Sequence, residues 1–247
     1  MGAGGATAAT VRRSMAALRA VLLYLYDEGH LDAMPPAVKM QPPPKRRTRV
    51  YSDDERRRLI VEAQVYDFRQ GRSFMYPLLA MIDGTGLRVS ELLAVTWGPD
   101  GLMVGDGEGV VRVADSKTAT GIRSVPFTGR LTRILAEHRK ATGAAEGALV
   151  FGPREDGKAY TRHGAPRYGL RRIAAAAGVE DVGWHAFRRT HATVLGTLPG
   201  TDEVTLAARM GHSDVATTKR HYIIPQHDRE RALADLAASL DPFKDEG

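Results

Sequence analysis

The 247-residue chain contains no cysteine. That excludes a disulfide scaffold, thiolate-bound zinc or iron–sulfur sites, and a cysteine nucleophile. It also lacks any run of the roughly 18 apolar residues that a membrane span requires. The best stretch, 16–26, is short and is broken by Arg19. Residues 1–10 are rich in Gly, Ala and Thr and have no basic and apolar leader pattern. A cytoplasmic location without a membrane partner is the resulting expectation. Aromatic residues are scarce at 6%, so a core must rest on Leu, Val, Ile, Met and Ala. The hydrophobic fraction of 43% is enough for one large domain, or a small one beside a medium one. Acidic residues are in deficit, 29 against 35 Lys and Arg, which leaves a net charge of +6. Residues 1–50 hold eight basic and three acidic groups, whereas the remainder is nearly balanced. A concentrated basic segment suits a polyanionic partner, and it suits a solvated face equally well.

Apolar Val11, Met15, Leu18, Leu22 and Leu25 recur at helical spacing, and Gly29 stands where a C-terminal cap belongs. A strap follows in which Pro35, Pro36, Pro42, Pro43 and Pro44 precede Lys45, Arg46, Arg47 and Arg49. Such a segment is extended and semi-rigid, fit to lie along phosphates. The domain boundary is placed there, with residues 1–49 as helix and basic linker and 50–247 as the main domain. Ser52 and Glu55 form a capping box, so a helix should run over 53–70, with Gly71 beyond it. Further helices are expected over 74–83 and 88–95. The period then changes: 101–104, 110–114 and 122–127 are short, β-branched and separated by Gly and Asp, as in a three-stranded meander. Helical patterns return over 131–140, 162–177, 185–195, 202–210, 215–223 and 228–240. The expected fold class is mainly α with a small antiparallel β-sheet.

Four segments concentrate polar chemistry. They are Thr85-Gly86-Leu87-Arg88-Val89-Ser90-Glu91-Leu92, Ser116-Lys117-Thr118 leading through Arg123 to Val125-Pro126, the stretch from His185 to Thr193, and Met210-Gly211-His212-Ser213 followed by Tyr222. Singly each has a plain structural reading: Arg88 as a partner of Glu91, His212 as a helix cap, Tyr222 as a packing residue. Jointly they supply two arginines, a lysine and two histidines as donors to a phosphate. A pentacoordinate transition state spreads negative charge over its non-bridging oxygens, which planar guanidinium forks match in pairs. A phenolic oxygen can attack phosphorus and hold a covalent intermediate once a base or a positive field activates it. A lysine can protonate the departing 5′-oxygen. None of these steps calls for a metal or another cofactor.

The order and spacing resemble the tyrosine recombinase family, the phage-type integrases and their relatives. The resemblance rests on T-G-L-R-x-S-E-L around Arg88, a hairpin lysine at Lys117, H-x-x-R at His185 and Arg188, a Gly-His pair at His212, and Tyr222. From Arg188 to His212 is 24 positions, and from His212 to Tyr222 is ten. The resemblance spans about 50–240, and all six positions are filled. Departures are Phe187 and Met210, each in place of Leu, and Arg189 after Arg188. It implies a tyrosine-recombinase-like catalytic domain in which Arg88 and Arg188 clamp the scissile phosphate. Lys117 would be the general acid, His185 would bond a non-bridging oxygen and serve as base, and His212 would stabilise the transition state. Tyr222 would become 3′-phosphotyrosyl, with Glu91 supporting the site from behind. The implied activity is site-specific recombination of double-stranded DNA by a homotetramer on two duplexes, with accessory DNA-bending proteins as possible partners. The 228–240 helix would pack on a neighbouring subunit. Expected DNA contacts are Arg12, Arg13, Lys45, Arg46, Arg47, Arg49, Arg189, Lys219 and Arg220. The resemblance also implies an upstream core-binding domain of several helices, of which residues 1–49 offer one helix and the strap, hence a truncated form.

Three other readings compete. A remnant could occupy DNA sites without recombining. A type IB topoisomerase shares the Arg, Lys, Arg, His and Tyr chemistry, although the T-G-L-R-x-S-E-L and M-G-H segments favour a recombinase. A metal-dependent hydrolase using His185, His191, His212 and His221 lacks an H-E-x-x-H or similar ligand spacing.

Overall fold

The computed structural model describes residues 8–37, 49–113, 122–152, 166–197 and 202–211. The helices expected over 215–223 and 228–240, and the start of the one expected over 162–177, lie outside the described residues. So do Pro42, Pro43 and Pro44 of the strap. The chain divides into two compact units, Met1–Thr48 and Arg49–Gly247. The first carries helix α1, Ala8–Asp27, with Gly29 just beyond it as expected. Of its apolar residues, Met15, Leu22 and Leu25 are half-buried, whereas Val11 and Leu18 are exposed.

The second unit is mainly helical. It comprises α2 (Asp53–Arg69), α3 (Met75–Thr85), the single turn α4 (Val89–Leu92), strands β1 (Leu102–Val104), β2 (Glu108–Val113) and β3 (Arg123–Thr128), then α5 (Arg130–Thr142), α6 (Arg167–Ala177), α7 (Trp184–Gly196) and α8 (Glu203–Met210). The strands form one antiparallel meander in the order β1-β2-β3, with Met103 opposite Val110 and Val111 opposite Val125. Inward Val111, Val113, Val125 and Phe127 alternate with more exposed neighbours, as period-two patterning requires.

Helix α3 organises this unit. Met75, Leu78, Leu79, Met81 and Ile82 are fully buried, so the helix is apolar on nearly every side and packs against α2, α5 and α7. Its first turn has no side-chain cap of its own. Asp67, near the end of α2, takes that role: its carboxylate accepts from the backbone N–H of Phe74 (2.7 Å), Met75 (3.0 Å) and Tyr76 (2.9 Å). The α2 start is capped as expected, Ser52 Oγ accepting from Glu55 N while Glu55 accepts from Ser52 N. A buried ion pair also ties the two helices, with Arg56 Nε and Nη2 on the Asp83 carboxylate at 2.8 and 2.7 Å.

One expected element is shorter than its pattern. The helix expected over 88–95 is the single turn α4, because Val95 O accepts from Val150 N and Trp97 N donates to Ala148 O. These long-range bonds draw the chain into an extended path that a local apolar pattern does not anticipate.

The Asp67 cap makes a stability prediction. Asp67→Ala leaves three N–H groups at the start of a buried helix without their acceptor, so it should cost about 2 kcal/mol or more in urea unfolding. Phe68→Ala, at an 87% exposed neighbour, should stay within about 0.5 kcal/mol. Equal losses for the two variants would show that the Asp67 carboxylate does not hold α3.

Candidate active site

The site is built where α3 ends. Thr85 turns its hydroxyl back onto Met81 O, and Gly86 N caps Ile82 O with Gly86 at φ +66°. A side chain at Gly86 would meet two obstacles, the left-handed backbone and His191, whose Cδ2 lies 2.5 Å from where a Cβ would stand. The chain therefore reverses tightly, burying Leu87 and presenting Arg88 at the start of α4. Glu91, one turn later, accepts from Arg88 N at 2.8 Å and from Arg88 Nη1 at 2.6 Å. The T-G-L-R-x-S-E-L pattern is thus a folded unit: a turn, a cation and the carboxylate that aims it.

Two further arginines reach the same place. Arg188, on α7, is buried and donates from Nη1 to Gly86 O at 2.8 Å and from Nη2 to Met210 O. Arg123, at the start of β3, pairs with Glu91 Oε2 at 2.9 Å and donates from Nε to Arg209 O at 2.8 Å. Arg88 Nη2 makes a longer 3.4 Å contact with Gly211 O. Three guanidinium groups from separate elements therefore meet the successive carbonyls of Arg209, Met210 and Gly211. These are end carbonyls of α8, which lack intrahelical partners and carry the negative end of its dipole.

Burial would raise the Glu91 carboxyl, but hydrogen bonds and charge from Arg123 and Arg88 outweigh it and hold the group below the ordinary carboxylate range. Arg188 is pulled down to about 10 by burial and then by the Arg88 charge, with Glu91 opposing and Arg123 adding to the effect. It stays charged at neutral pH. Among the described residues no carboxylate pairs with it. The arrangement is a cluster of three oriented guanidinium groups around one carboxylate, an excess of positive charge of the kind that suits an anion with several oxygens.

His185 and Arg188 share α7 at i and i+3, with His185 exposed on its first turn. Lys117, His212 and Tyr222 lie outside the described residues, although Gly211, the residue before His212, ends the turn just described. Among the expected DNA contacts, Lys45, Arg46, Arg47, Lys219 and Arg220 also lie outside. Arg12 and Arg13 are exposed on α1, and Arg189 is exposed on α7. Arg49 is engaged within its own unit: it pairs with Glu55 at 2.5 Å, donates to Glu180 O at 3.3 Å and lies over the Tyr51 ring.

Arg123 has no role among the motif residues, yet the sequence carries a signal for it. It shares strand parity with the buried Val125 and Phe127, which places a charge on the inward face of β3. Arg209 is 1% exposed and reaches Pro126 O at 3.2 Å, tying α8 to β3. Nothing local in the sequence marks it. His191, named in the hydrolase reading, is buried beneath Gly86, with Nδ1 2.8 Å from Asp83 O. Among the described residues, no group of three or more His, Cys, Asp or Glu stands close enough to share an ion. No helix among them is long and apolar enough to cross a membrane.

The fold is that of the tyrosine recombinases. The XerH site-specific recombinase, in a pre-cleavage complex with its difH substrate, superposes with a TM-score of 0.64 at 19% identity, over 93% of this chain and 66% of that one. The Tn1549 transposon integrase, in complex with circular intermediate DNA, gives 0.64 at 18% identity, over 92% and 79%. XerA recombinase gives 0.55 at 20% identity, over 89% and 75%. Among curated proteins none matches the sequence. Residues 54–229 match the Phage integrase family, well over half of the chain, and the chain belongs to that family.

The buried imidazole of His191 makes a pH prediction. Burial, with the Arg209 charge adding to it, pushes its pKa down to about 3. The unfolded chain takes up a proton near pH 6.5 while the folded chain does not. The associated stability is therefore complete above about 6.5 and is lost as pH falls toward 3, by about 2 kcal/mol at pH 5. His191→Asn keeps a donor for Asp83 O but cannot titrate, so that part of the difference between urea unfolding at pH 7.5 and pH 5 should vanish. An undiminished difference would contradict this account of His191.

Proposed function

We propose that the protein is a site-specific DNA recombinase that cleaves and rejoins strands through a 3′-phosphotyrosine intermediate. The observation that carries this reading is the convergence of Arg88 and Arg188, a hundred positions apart, on the carbonyls of Gly211 and Met210 next to His212. Family membership supports it, as does the DNA present in the complexes of XerH and the Tn1549 integrase. Arg88 and Arg188 grip the non-bridging oxygens of the scissile phosphate. The Tyr222 oxygen attacks phosphorus and gives up its proton to His185. The bond to the 5′-oxygen breaks, and Lys117 protonates that oxygen, leaving a 3′-phosphotyrosyl ester and a free 5′-hydroxyl. His212 donates to the phosphate in the transition state. Attack by another 5′-hydroxyl reverses the sequence and frees Tyr222. The number of phosphoester bonds is conserved, so rejoining needs no nucleotide cofactor, and fixed cations take the part a metal would play.

The partner is double-stranded DNA, contacted by Arg12, Arg13, Lys45, Arg46, Arg47, Arg49, Arg189, Lys219 and Arg220. The working assembly is a homotetramer on two duplexes in the bacterial cytoplasm, with DNA-bending accessory proteins. Residues 1–49 act as a linker and helix that help the catalytic unit, 50–247, to track the duplex.

The test is a suicide duplex with a nick near the cleavage site, scored for covalent protein–DNA adduct. Tyr222→Phe should abolish the adduct while leaving DNA affinity nearly unchanged, because one neutral oxygen adds little to polyanion attraction. Adduct from Tyr222→Phe would end the assignment of the nucleophile. Chelator should leave the wild-type adduct intact. Substituting Lys for Arg88 or Arg188 keeps charge but loses the two-donor fork, so adduct rates should fall roughly 10²–10³-fold. Near-wild-type rates for both lysine variants would show that these arginines do not clamp the phosphate.

A further inference from the structure

We infer that Arg123 is a positioning residue for strand cleavage: it fixes the carboxylate that aims Arg88 and the end of α8 from which the chain enters His212. The inference rests on the proposed phosphotyrosine reading and adds a residue to its machinery.

Arg123 differs from Arg88 and Arg188 in how its donors are used. Its side chain is 6% exposed, so it is closed off from direct contact with a duplex. Its Nη2 and Nη1 lie 2.9 and 3.4 Å from the two Glu91 oxygens, and its Nε donates to Arg209 O at 2.8 Å. One planar group therefore spans two separate elements, the turn α4 and the last turn of α8. Its fork geometry matters here, because a carboxylate and a carbonyl are engaged from different edges of the same plane.

The contact with α8 is close. A Cβ at Gly211 would stand 2.7 Å from Arg123 Nη1, and Gly211 sits at φ +62°. A bare glycine thus lets the guanidinium lie against the turn that leads to His212. On the other side, Glu91 uses its two oxygens on Arg88 and Arg123 together. Removing Arg123 frees the carboxylate to follow Arg88 outward and leaves Arg209 O without this donor. When Arg88 and Arg188 turn donors toward a phosphate, Arg123 still holds Arg209 O. A displacement of about 1 Å in a reacting constellation costs on the order of 100-fold in rate.

The experiment compares wild type, Arg123→Met and Arg123→Lys on the nicked suicide duplex, measuring the adduct rate at saturating DNA, the half-saturating DNA concentration and the thermal midpoint. The expected result is a rate at saturation about 100-fold lower for Arg123→Met, with half-saturation within about threefold of wild type. Arg123→Lys keeps a charge beside Glu91 but cannot reach both elements, so its rate should still fall at least about 10-fold. If Arg123→Met does not fold, Arg123→Lys carries the comparison. A merely structural residue would lower the folded fraction and leave the rate per folded molecule unchanged, and that outcome overturns the proposal. So does a weakened half-saturation at full rate, which would make Arg123 a DNA contact. If wild type forms no Tyr222-dependent adduct, the phosphotyrosine reading fails first and Arg123 loses its role with it.

Discussion

The Glu91 carboxylate, with its side chain only 10% exposed, stands between Arg88 and Arg123 and faces the buried Arg188. Three cations brought this close would repel one another strongly in a medium of lowered dielectric. A single anion at their centre makes the cluster tenable. The same anion then sets where each element can go: α4 must carry it one turn after Arg88, β3 must begin beside it, and α7 must bring Arg188 to Gly86. Burial of a pair like this contributes little net stability, but loss of one partner leaves an uncompensated charge. The cluster is therefore better understood as fixing geometry than as supplying folding energy. The folding energy comes from the apolar surround of α3, whose buried side chains hold the turn at Gly86 in place.

The sequence carried the local features clearly. The capping box at Ser52 and Glu55, the meander of short strands and the glycines just past α1 and α2 depend on neighbours a few residues apart, and the chain folds as they indicate. Helix α4 is shorter than its local apolar pattern because the bonds that stop it come from Val150 and Ala148, more than fifty residues away. The Asp67 cap on α3 was missed because the capping side chain belongs to the preceding helix.

The site divides along the same line. Motif order marks Arg88, Glu91 and Arg188 in the sequence, and the structure brings these three together, whereas His185 is placed only as an exposed residue on α7. The grouping of Arg88, Glu91 and Arg188 depends only on α3, α4 and α7 packing as they do. Arg123 needed the strand parity to be followed to its end, where a charged residue continues a buried row. Arg209 and His191 had no such signal, since their burial follows from where α7, α8 and β3 meet.

The acceptors chosen for these arginines also matter. A carboxylate partner cancels a guanidinium's charge, whereas a carbonyl satisfies its N–H groups and leaves the charge in place. Arg123 and Arg88 are matched against Glu91, while Arg188 is held by Gly86 O and Met210 O alone among the described residues. Arg188 is thus oriented, desolvated and still cationic. An incoming anion would find a donor that need not be pulled from a competing salt bridge. Preorganisation of this kind costs no rearrangement at the moment of reaction, which is the condition under which fixed charge stabilises a transition state most. A neutral backbone turn therefore tunes the cluster: by taking donors without taking charge, the end of α8 leaves Arg188 cationic, which is the condition the proposed phosphate clamp requires.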